Sequence, residues 1–278
     1  MINPYFTDNG FYLYLGDSLT VLSQFEPETF DLIFVDPPYF LSNGGVTCSS
    51  GKLVSVNKGD WDKSMGFEED IKFTYSWLKA CRRVLKENGS IWISGTLHAI
   101  YKIGYLLEKN NYDLINDIVW YKPNAPPNLS CKYFTHSHEI ILWARKTDKS
   151  RHTFHYEKMK LWNNPKDKLK NKDKQMRSVW SIPLLPKAEK EFGKHPTQKP
   201  IELLNRIVSS SSNEGDCVLD PFLGSGTTGI VCNILKRKFI GIDNQKEYLD
   251  LAIRRYKSKN NRELLYYSKR KQLITKFT

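Results

Sequence analysis

The sequence has no long apolar run and no paired-cysteine motif. None of its stretches approaches the roughly 18–20 consecutive apolar residues that span a bilayer, and its first residues lack the basic, then apolar, order of a signal peptide. Its five cysteines are scattered without a CxxC pair, which argues against a disulfide framework or a structural zinc site. We therefore expect a cytosolic protein with no membrane contact and no bound metal.

Acidic residues are scarce in two stretches of a chain whose formal net charge is +12. From Arg145 to Lys199 there are 16 Lys and Arg residues against 6 Asp and Glu residues. From Arg254 to the end the numbers are 9 against 1. Such segregated positive charge suits a polyanion, because phosphate contacts supply most non-specific affinity for nucleic acid. The alternative is a pair of solvated lysine-rich segments.

Apolar periodicity predicts an α/β fold in which strands and helices alternate along the chain. The predicted strands are 11–15, 30–35, 90–94, 115–121, 140–144, 217–219 and 239–242. The predicted helices are 68–86, ended by Asn88 and Gly89, then 98–109, 200–212, 226–236 and a basic helix from Gln245. Residues 42–62 are expected to form a long mobile loop, and residues 145–195 break the alternation.

A glycine-rich segment, Asp220-Pro221-Phe222-Leu223-Gly224-Ser225-Gly226-Thr227, follows a buried strand near the end of the chain. The next strand ends at Asp243, near the spacing at which an acid meets a ribose diol. Glycines let a ligand approach the backbone closely. No Gly-Lys-Ser/Thr follows, which argues against a phosphate-binding loop, and Asp220-Pro221-Phe222 argues against a dinucleotide site. We expect a nucleoside cofactor here, and a turn needed only for packing is the alternative.

A second segment, Asp36-Pro37-Pro38-Tyr39, follows the strand 30–35. Asp36 offers a carboxylate, the two prolines stiffen a turn that presents the Pro37 carbonyl, and Tyr39 offers an aromatic face. A carboxylate and a carbonyl that accept the N–H protons of an exocyclic amine favour the pyramidal geometry that nucleophilic attack requires. The ring is suited to stack on a base that has left the duplex. An ordinary polar turn is the alternative.

Both segments follow strands that are predicted to be parallel, so they should meet at one edge of the sheet. Together they suggest methyl transfer from S-adenosylmethionine to a nucleobase amine. Lys199, just before the helix 200–212, is suited to the methionine carboxylate of the cofactor, or belongs to a proline-rich helix entry. Asp17 is suited to the adenine amine of the cofactor, or is a helix N-cap.

The chain resembles the β-group DNA amino-methyltransferases of bacterial restriction–modification systems. The resemblance covers nearly the whole chain and includes 36–45, 59–63, 127–131, 133–137, Glu139 and 195–200. Within that group the chain looks most like the Dpn-type methylases that modify adenine in GATC, and next like the Hinf-type GANTC methylases. Aspartate at position 36, rather than Ser or Asn, favours adenine over cytosine in this group.

The resemblance implies a Rossmann-like class I methyltransferase fold with a mainly parallel seven-stranded sheet and permuted motif order. It implies a catalytic part of the core at 1–124, a target-recognition insertion at 125–195, a cofactor-binding part at 196–256 and a basic tail at 257–278. The partners expected are double-stranded DNA, with single-stranded DNA as an alternative substrate, and a second copy of the chain as a homodimer. A restriction endonuclease encoded with the chain is also expected.

The site residues expected from the motifs and the resemblance fall into three sets. The catalytic set is Asp36, Pro37, Pro38 and Tyr39. The cofactor-binding set is Asp17, Asp36, Lys199, Asp220, Phe222, Gly224, Ser225, Gly226, Thr227 and Asp243. The DNA-reading candidates are Asn128, Lys132, Tyr133, His136, Arg145 and Arg177, with none assigned to a particular base.

Other functions remain open from the sequence. An enzyme of the same fold can act on cytosine N4, on RNA or on protein glutamine. A methyltransferase scaffold that binds DNA without catalysis is a further alternative, although every catalytic position is intact. The basic insertion between the two motif segments favours a DNA enzyme.

Overall fold

The computed structural model of the chain describes residues 2–42, 46–49, 52–55, 59–129, 131–162, 174–190, 192–193 and 195–258. Its strands are β1 (Phe6–Asp8), β2 (Phe11–Leu15), β3 (Phe30–Val35), β4 (Val46–Ser49), β5 (Lys52–Ser55), β6 (Leu85–Gly95), β7 (Asp113–Tyr121), β8 (His138–Arg145), β9 (Val179–Ser181), β10 (Cys217–Asp220) and β11 (Lys238–Asp243). Its helices are α1 (Ser18–Leu22), α2 (Phe67–Val84), α3 (Ile100–Lys109), α4 (Tyr156–Lys160), α5 (Ile201–Ser211), α6 (Thr227–Ile234) and α7 (Lys246–Lys257).

The main sheet of the described residues has nine strands in the order β1-β2-β11-β10-β3-β6-β8-β7-β9. Neighbouring strands from β2 to β6 are parallel, and β8 is antiparallel to both β6 and β7. Without the short edge strands β1 and β9, the sheet is the predicted mainly parallel core of seven strands. The predicted α/β fold class is therefore confirmed, and the two edge strands were missed.

Strand order places distant parts of the chain side by side. β10 and β11 come from the C-terminal part of the chain but lie between β2 and β3. Leu219 of β10 is paired with Ile33 of β3 in parallel register. The segments that follow these two strands therefore leave the sheet at the same edge, where open α/β sheets bind their ligands.

Helices cover both faces of the sheet because the central strands are apolar on both faces. Along β3, Leu32 and Phe34 pack in a cluster with α5, α6 and α7, whereas Ile33 and Val35 pack in a second cluster with α1, α2 and α3. This alternation follows from the two-residue period of side chains along a strand. A continuous apolar run thus supplies two cores at once.

Edge strand β9 is attached by tryptophan packing. The rings of Trp92 and Trp143 stack with their centroids 4.6 Å apart, and the Trp180 ring of β9 lies 6.0 Å from that of Trp92. The Trp120 indole donates a hydrogen bond to the Ile182 carbonyl at 2.8 Å. Because β9 has only three residues in a lysine-rich region, its sequence carries no strand periodicity.

One predicted helix boundary was wrong, and one predicted loop contains a hairpin. Helix α2 ends at Val84, not near Asn88 and Gly89, because the fully buried Leu85 begins β6 beside Phe30. Packing of Leu85 thus overrides the Asn-Gly signal.

Within the predicted loop 42–62, β4 and β5 form an antiparallel hairpin, consistent with the β-branched residues there. Positions 43–45, 50–51 and 56–58 lie outside the described residues, and the expected mobility of this loop stays a prediction.

The proposed insertion 125–195 contributes two strands to the main sheet, β8 and β9. Its other described residues lie outside the sheet, and positions 130, 163–173, 191 and 194 are not among those described. In the predicted tail 257–278, α7 reaches Lys257 and the description ends at residue 258. None of the described helices is long and apolar enough to cross a bilayer.

Candidate active site

A cavity at the ligand edge of the sheet is lined by both motif segments. Asp36 and Pro38 come from the segment after β3, and the residues from Asp220 to Ser225 come from the segment after β10. Asp17, Lys199, Thr227 and Asp243 also line the cavity. The two segments predicted to meet are thus brought to one cavity, as the parallel strand order requires.

The Asp36 carboxylate lies at the centre of a hydrogen-bond network. Its Oδ2 accepts from the Lys199 ammonium at 2.7 Å. Its Oδ1 accepts from the Ser94 hydroxyl at 2.9 Å and from the Tyr39 hydroxyl. Because each oxygen already has a donor, an incoming amine must share an oxygen with these donors or displace one of them.

Tyr39 is placed differently from the expectation. Its ring is 4% exposed and is not among the residues that line the cavity. Burial, together with the charge of Asp36, raises the pKa of the phenol well above its ordinary value, so the hydroxyl acts as a donor at neutral pH. Stacking of a base on this ring requires the loop to rearrange. Pro37 is also buried, and Pro38 is the proline that borders the cavity.

Lys199 joins two carboxylates beneath the cavity. Besides Asp36, its ammonium lies 3.7 Å from Glu139 Oε2, and Glu139 Oε1 accepts from the Lys122 ammonium. Burial alone would lower the pKa of Lys199, but Asp36 and Glu139 raise it overall. The four alternating charges compensate one another in a site where an unpaired charge would be costly. Lys199 therefore stabilises the Asp36 carboxylate in this structure, whereas it was expected to meet the cofactor's carboxylate.

The glycine-rich segment approaches its neighbours too closely for side chains. Gly224 and Gly226 have φ values of +51° and +75°, which L residues rarely adopt. A Cβ at Gly224 would lie 2.9 Å from the His195 ring, and one at Gly226 would lie 2.6 Å from Ala252 Cβ. Both positions therefore require glycine for the turn and for the packing against it.

Asp243, at the end of β11, fixes this turn. Its Oδ2 accepts from the Gly224 N–H at 2.8 Å, and its Oδ1 accepts from the Gln245 N–H at 2.8 Å at the start of α7. Burial raises the pKa of its carboxyl to about 6. Each oxygen keeps a further lone pair, so the carboxylate is suited to accept hydrogen bonds from a diol.

Asp220 is the more deeply buried of the two acids. Thr228 Oγ1 donates to its Oδ2 at 2.6 Å, and the Phe222 N–H donates to its Oδ1 at 3.2 Å. Burial nevertheless raises the pKa of its carboxyl to about 7. Asp220 therefore holds the loop in place as well as bordering the cavity.

The remaining predicted cofactor residues lie around the same cavity. Asp17 caps α1 by accepting from the Thr20 N–H at 2.9 Å, so the N-cap alternative is correct, and it also borders the cavity. The Phe222 ring packs edge-on against Trp77 at 5.9 Å. Ser225 and Thr227 are tied to α7, because Arg255 Nη1 donates to the Ser225 carbonyl at 2.6 Å and to Thr227 Oγ1 at 3.0 Å.

Sequence reasoning missed Asp62. Its carboxylate is fully buried and accepts from the N–H groups of Tyr39, Phe40 and Leu41 at 2.8, 2.9 and 3.2 Å. It also accepts from the Ser42 hydroxyl at 2.9 Å. The backbone immediately after the double-proline turn is thus held by one side chain. The only sequence signal for Asp62 was its position in 59–63, one of the stretches that resemble the methyltransferase family.

An aromatic cluster over the cavity was also missed. The Trp61 ring stacks on the His195 ring with centroids 6.1 Å apart and planes 18° apart. Tyr248 packs edge-on against the His195 ring, with the ring centroids 4.4 Å apart. All three residues line the cavity. An aromatic wall of this kind is suited to an adenine ring or a sulfonium group.

The DNA-reading candidates do not form one surface. Arg145 is the last residue of β8 and pairs with Asp113 at 2.6 Å. Because Glu139 near the start of β8 lies beside Lys199, Arg145 lies at the end of the strand that is away from the cavity. This pairing gives Arg145 a structural role, and its contact with DNA stays a prediction. Arg177 is exposed just before β9. Lys132 and His136 are exposed in the segment between β7 and β8 that leaves from the cavity edge.

Comparison with known proteins identifies what this chain is similar to. A sequence model of the N6/N4 DNA methylase family matches residues 30–254. The type II methyltransferase M2.DpnII of Streptococcus pneumoniae is 52% identical over 261 residues, covering 94% of each chain. The type II methyltransferase M.HinfI of Haemophilus influenzae is 42% identical over 246 residues, covering 86% of this chain and 66% of that protein.

A solved structure supports the same relationship. The crystal structure of the M1.HpyAVI–SAM complex matches with a TM-score of 0.63 and 26% identity, covering 89% of this chain and 99% of that one.

The first prediction concerns Asp62. An Asp62→Ala variant leaves three backbone N–H groups without their acceptor, so its unfolding free energy should fall by about 2–4 kcal/mol. Hydrogen exchange of the Tyr39, Phe40 and Leu41 amides should accelerate, as measured by NMR or mass spectrometry. The control is Asp70→Ala, another buried acid, which should leave those amides protected. Equal protection in both variants contradicts the assignment.

The second prediction is a pH dependence that Asp220 causes. The folded state keeps this carboxyl protonated up to about pH 7, whereas an unfolded carboxyl ionises near pH 4. Unfolding is therefore increasingly favoured as the pH rises between these values, by up to roughly 4 kcal/mol. Urea unfolding at pH 4.5 and pH 8 should show that Asp220→Asn loses less stability over this range than the wild type. The exposed Asp148→Asn variant should follow the wild type, and parallel behaviour of all three proteins contradicts the prediction.

Proposed function

Because the chain belongs to the N6/N4 DNA methylase family, we propose that it methylates adenine N6 in a short duplex site, GATC, after moving the adenine out of the helix. The family membership makes it an S-adenosylmethionine-dependent DNA methyltransferase. The observation that carries the proposal is the shared cavity: the Asp36 carboxylate and the glycine-rich segment with Asp243 border one space. A methyl donor and an everted base can meet only in such a space.

The described residues fit S-adenosylmethionine. Asp243 offers a carboxylate to the ribose, and Gly224, whose N–H binds that carboxylate, borders the same cavity. The rings of Phe222, Trp61 and Tyr248 supply an apolar, π-rich wall. Asp17 lies at the same cavity and has acceptor capacity for the adenine amine. When bound, S-adenosylmethionine supplies an electrophilic methyl group on a sulfonium centre.

Asp36 is proposed to orient and stabilise the target amine. Its carboxylate and the Pro37 carbonyl accept hydrogen bonds from the two N–H groups of N6. These bonds favour a pyramidal nitrogen with its lone pair directed at the methyl group. Positive charge that develops on N6 is stabilised by Asp36. Lys199 and the hydroxyls of Tyr39 and Ser94 hold that carboxylate in position. Positioning is the main contribution of the protein.

The target and the site follow from similarity within the family. Aspartate at position 36 supports adenine over cytosine N4, which is the alternative that the family also contains. The higher identity to M2.DpnII than to M.HinfI, 52% against 42%, supports GATC over GANTC. A protein substrate is disfavoured because a basic insertion separates the two motif segments. An RNA substrate is disfavoured because the matching family is one of DNA methylases.

DNA contact is proposed along the cavity edge. Lys132, Tyr133 and His136 lie at this edge, between β7 and β8. Arg177 precedes β9, which runs parallel to β7, so it lies farther from this edge and is a separate candidate. Residues 125–195 would supply most of the sequence reading, with 1–124 and 196–256 forming the catalytic core and 257–278 a basic tail. We further propose a cytosolic enzyme that forms a homodimer and accompanies a cognate endonuclease, as type II systems suggest.

Replacement of Asp36 tests the catalytic role. Asp36→Ala should reduce methyl transfer by at least about 1000-fold while cofactor affinity changes little, because it removes an interaction made chiefly in the transition state. Single-turnover transfer of labelled methyl groups measures the rate, and calorimetry measures cofactor binding. Asp31→Ala, which removes an acid near the amino end of the same strand, is the control and should keep its activity. An unchanged rate in Asp36→Ala refutes the role.

Mapping the modification tests the substrate. DNA from a host that expresses the chain should carry N6-methyladenine in GATC and should resist a nuclease blocked by that mark. Nucleoside analysis by mass spectrometry distinguishes N6-methyladenine from N4-methylcytosine, and single-molecule sequencing distinguishes GATC from GANTC. Host DNA that carries neither methylated base contradicts DNA methylation. Transfer of a labelled methyl group to ribosomal RNA would point to the RNA alternative.

A further inference from the structure

The segment 122–138, which we name the β7–β8 loop, begins and ends beside the catalytic carboxylate. Lys122 at its start pairs with Glu139 just after its end, and Glu139 lies 3.7 Å from the Lys199 ammonium that binds Asp36. Both ends of the loop are therefore fixed by the buried charges beneath the cavity. Whatever the loop carries is presented next to the place where the target base must enter.

Its described residues are braced from within. The Asn128 amide donates to the Tyr133 carbonyl at 2.6 Å, and the Asn128 N–H donates to Thr135 Oγ1 at 3.2 Å. The Tyr133 and His136 rings pack with centroids 5.5 Å apart. Two of the polar candidates for base reading, Asn128 and Tyr133, thus shape the loop, although they were expected to contact DNA directly.

Phe134 lies at the centre of this brace and projects into solvent. It is 97% exposed, more than any other large apolar residue in the described part of the chain. Its neighbours in sequence, Tyr133 and Thr135, are the residues held by Asn128. The adjacent Tyr133 ring is also exposed, at 61%, so the loop presents two neighbouring aromatic rings to solvent. Such a patch adds little to the stability of the fold and is suited to a partner outside the chain.

We propose that Phe134 enters the base stack of the duplex at the position that the everted target base leaves. This inference rests on the proposed function, since it supplies the residue that base eversion needs. Removing a base from the stack costs a few kcal/mol, and an inserted apolar side chain offsets part of that cost. A phenylalanine ring stacks on any base, so it suits this position whatever the neighbouring sequence.

The loop has the reach and the charge for this insertion. Phe134 is five residues from Glu139, a distance of at most about 17 Å at the extended length of a chain. Lys132 and His136 flank the ring and are exposed, where they can meet the phosphates on either side of the gap. Because the chain has a formal net charge of +12, the positive Lys132 near the ring favours a polyanion over a second copy of the chain. The occupant is therefore DNA.

The test compares Phe134→Ala with the wild type on a duplex that contains the mapped site. The variant should fold normally, because the ring is exposed, and should bind cofactor as the wild type does. Its kcat/KM for the paired duplex should fall about 5- to 100-fold, the range that loss of one stacked ring predicts. Fluorescence of 2-aminopurine at the target position should rise less on binding than it does with the wild type.

A second substrate separates eversion from general DNA binding. In a duplex with an abasic site opposite the target, the base leaves the stack more easily, and the variant's deficit should shrink to within about threefold of the wild type. The control is Tyr105→Ala, an aromatic residue of α3 that is 63% exposed outside the loop, which should behave as wild type on both substrates.

Three results would overturn the inference. The first is that Phe134→Ala has the kcat/KM and the fluorescence of the wild type. The second is that its deficit is equal on the paired and abasic duplexes. The third is that sedimentation shows a loss of self-association that accounts for the whole deficit. A wild-type chain that methylates no DNA would instead refute the proposed function, and the two failures are therefore distinguishable.

Discussion

The buried ion pair between Asp36 and Lys199 is the interaction on which the candidate site depends. It joins segments 163 positions apart at a distance of 2.7 Å. A carboxylate and an ammonium this deeply buried would each be costly alone, so the two segments are stable at this edge only together. Glu139 and Lys122 extend the pair into a chain of alternating charges. The catalytic carboxylate, the segment before α5 and the β7–β8 loop are thereby held in one arrangement, which lets a DNA contact at the loop act close to the reacting atoms.

Two kinds of restraint hold the segments that border the cavity. The segment after β3 is rigid because of its prolines and because Asp62 accepts from three successive N–H groups beyond them. The segment after β10 has left-handed glycines, whose conformation Asp243 fixes at Gly224. Trp61 precedes Asp62 and packs against His195, which also contacts Gly224. The stretch 59–62 therefore contacts the segment after β3 through Asp62. Through Trp61 and His195 it also reaches the segment after β10, so it links the two segments that border the cavity.

Several parts of this arrangement could be read from local sequence, and others could not. Strand β3 was predicted from its continuous apolar run and α5 from its apolar period. Strand β10 and helix α6 are short and were predicted from the glycine-rich segment that joins them. β9 was missed because its three residues depend on Trp92 and Trp120 for their place, and the end of α2 was misplaced because Leu85 packs under Phe30. Asp62 was passed over because its partners are backbone groups, which carry no residue signature. Charge alone does not say at which end of a strand a side chain lies, so the sequence could not show that Arg145 pairs with Asp113 at the end of β8.

The sequence by itself determined the fold class, the permuted order of the motifs and the residue types that meet at the site. These are encoded in period, spacing and the backbone limits of proline and glycine, which act over a few residues. Only the tertiary structure decided the partners of those residues. In the folded chain Lys199 pairs with Asp36, and the ring of Tyr39 is buried. Asn128 holds the β7–β8 loop, and Phe134 is exposed. Such contacts depend on the register of strands far apart in the chain and on burial of charge, and neither quantity exists until the sheet has formed.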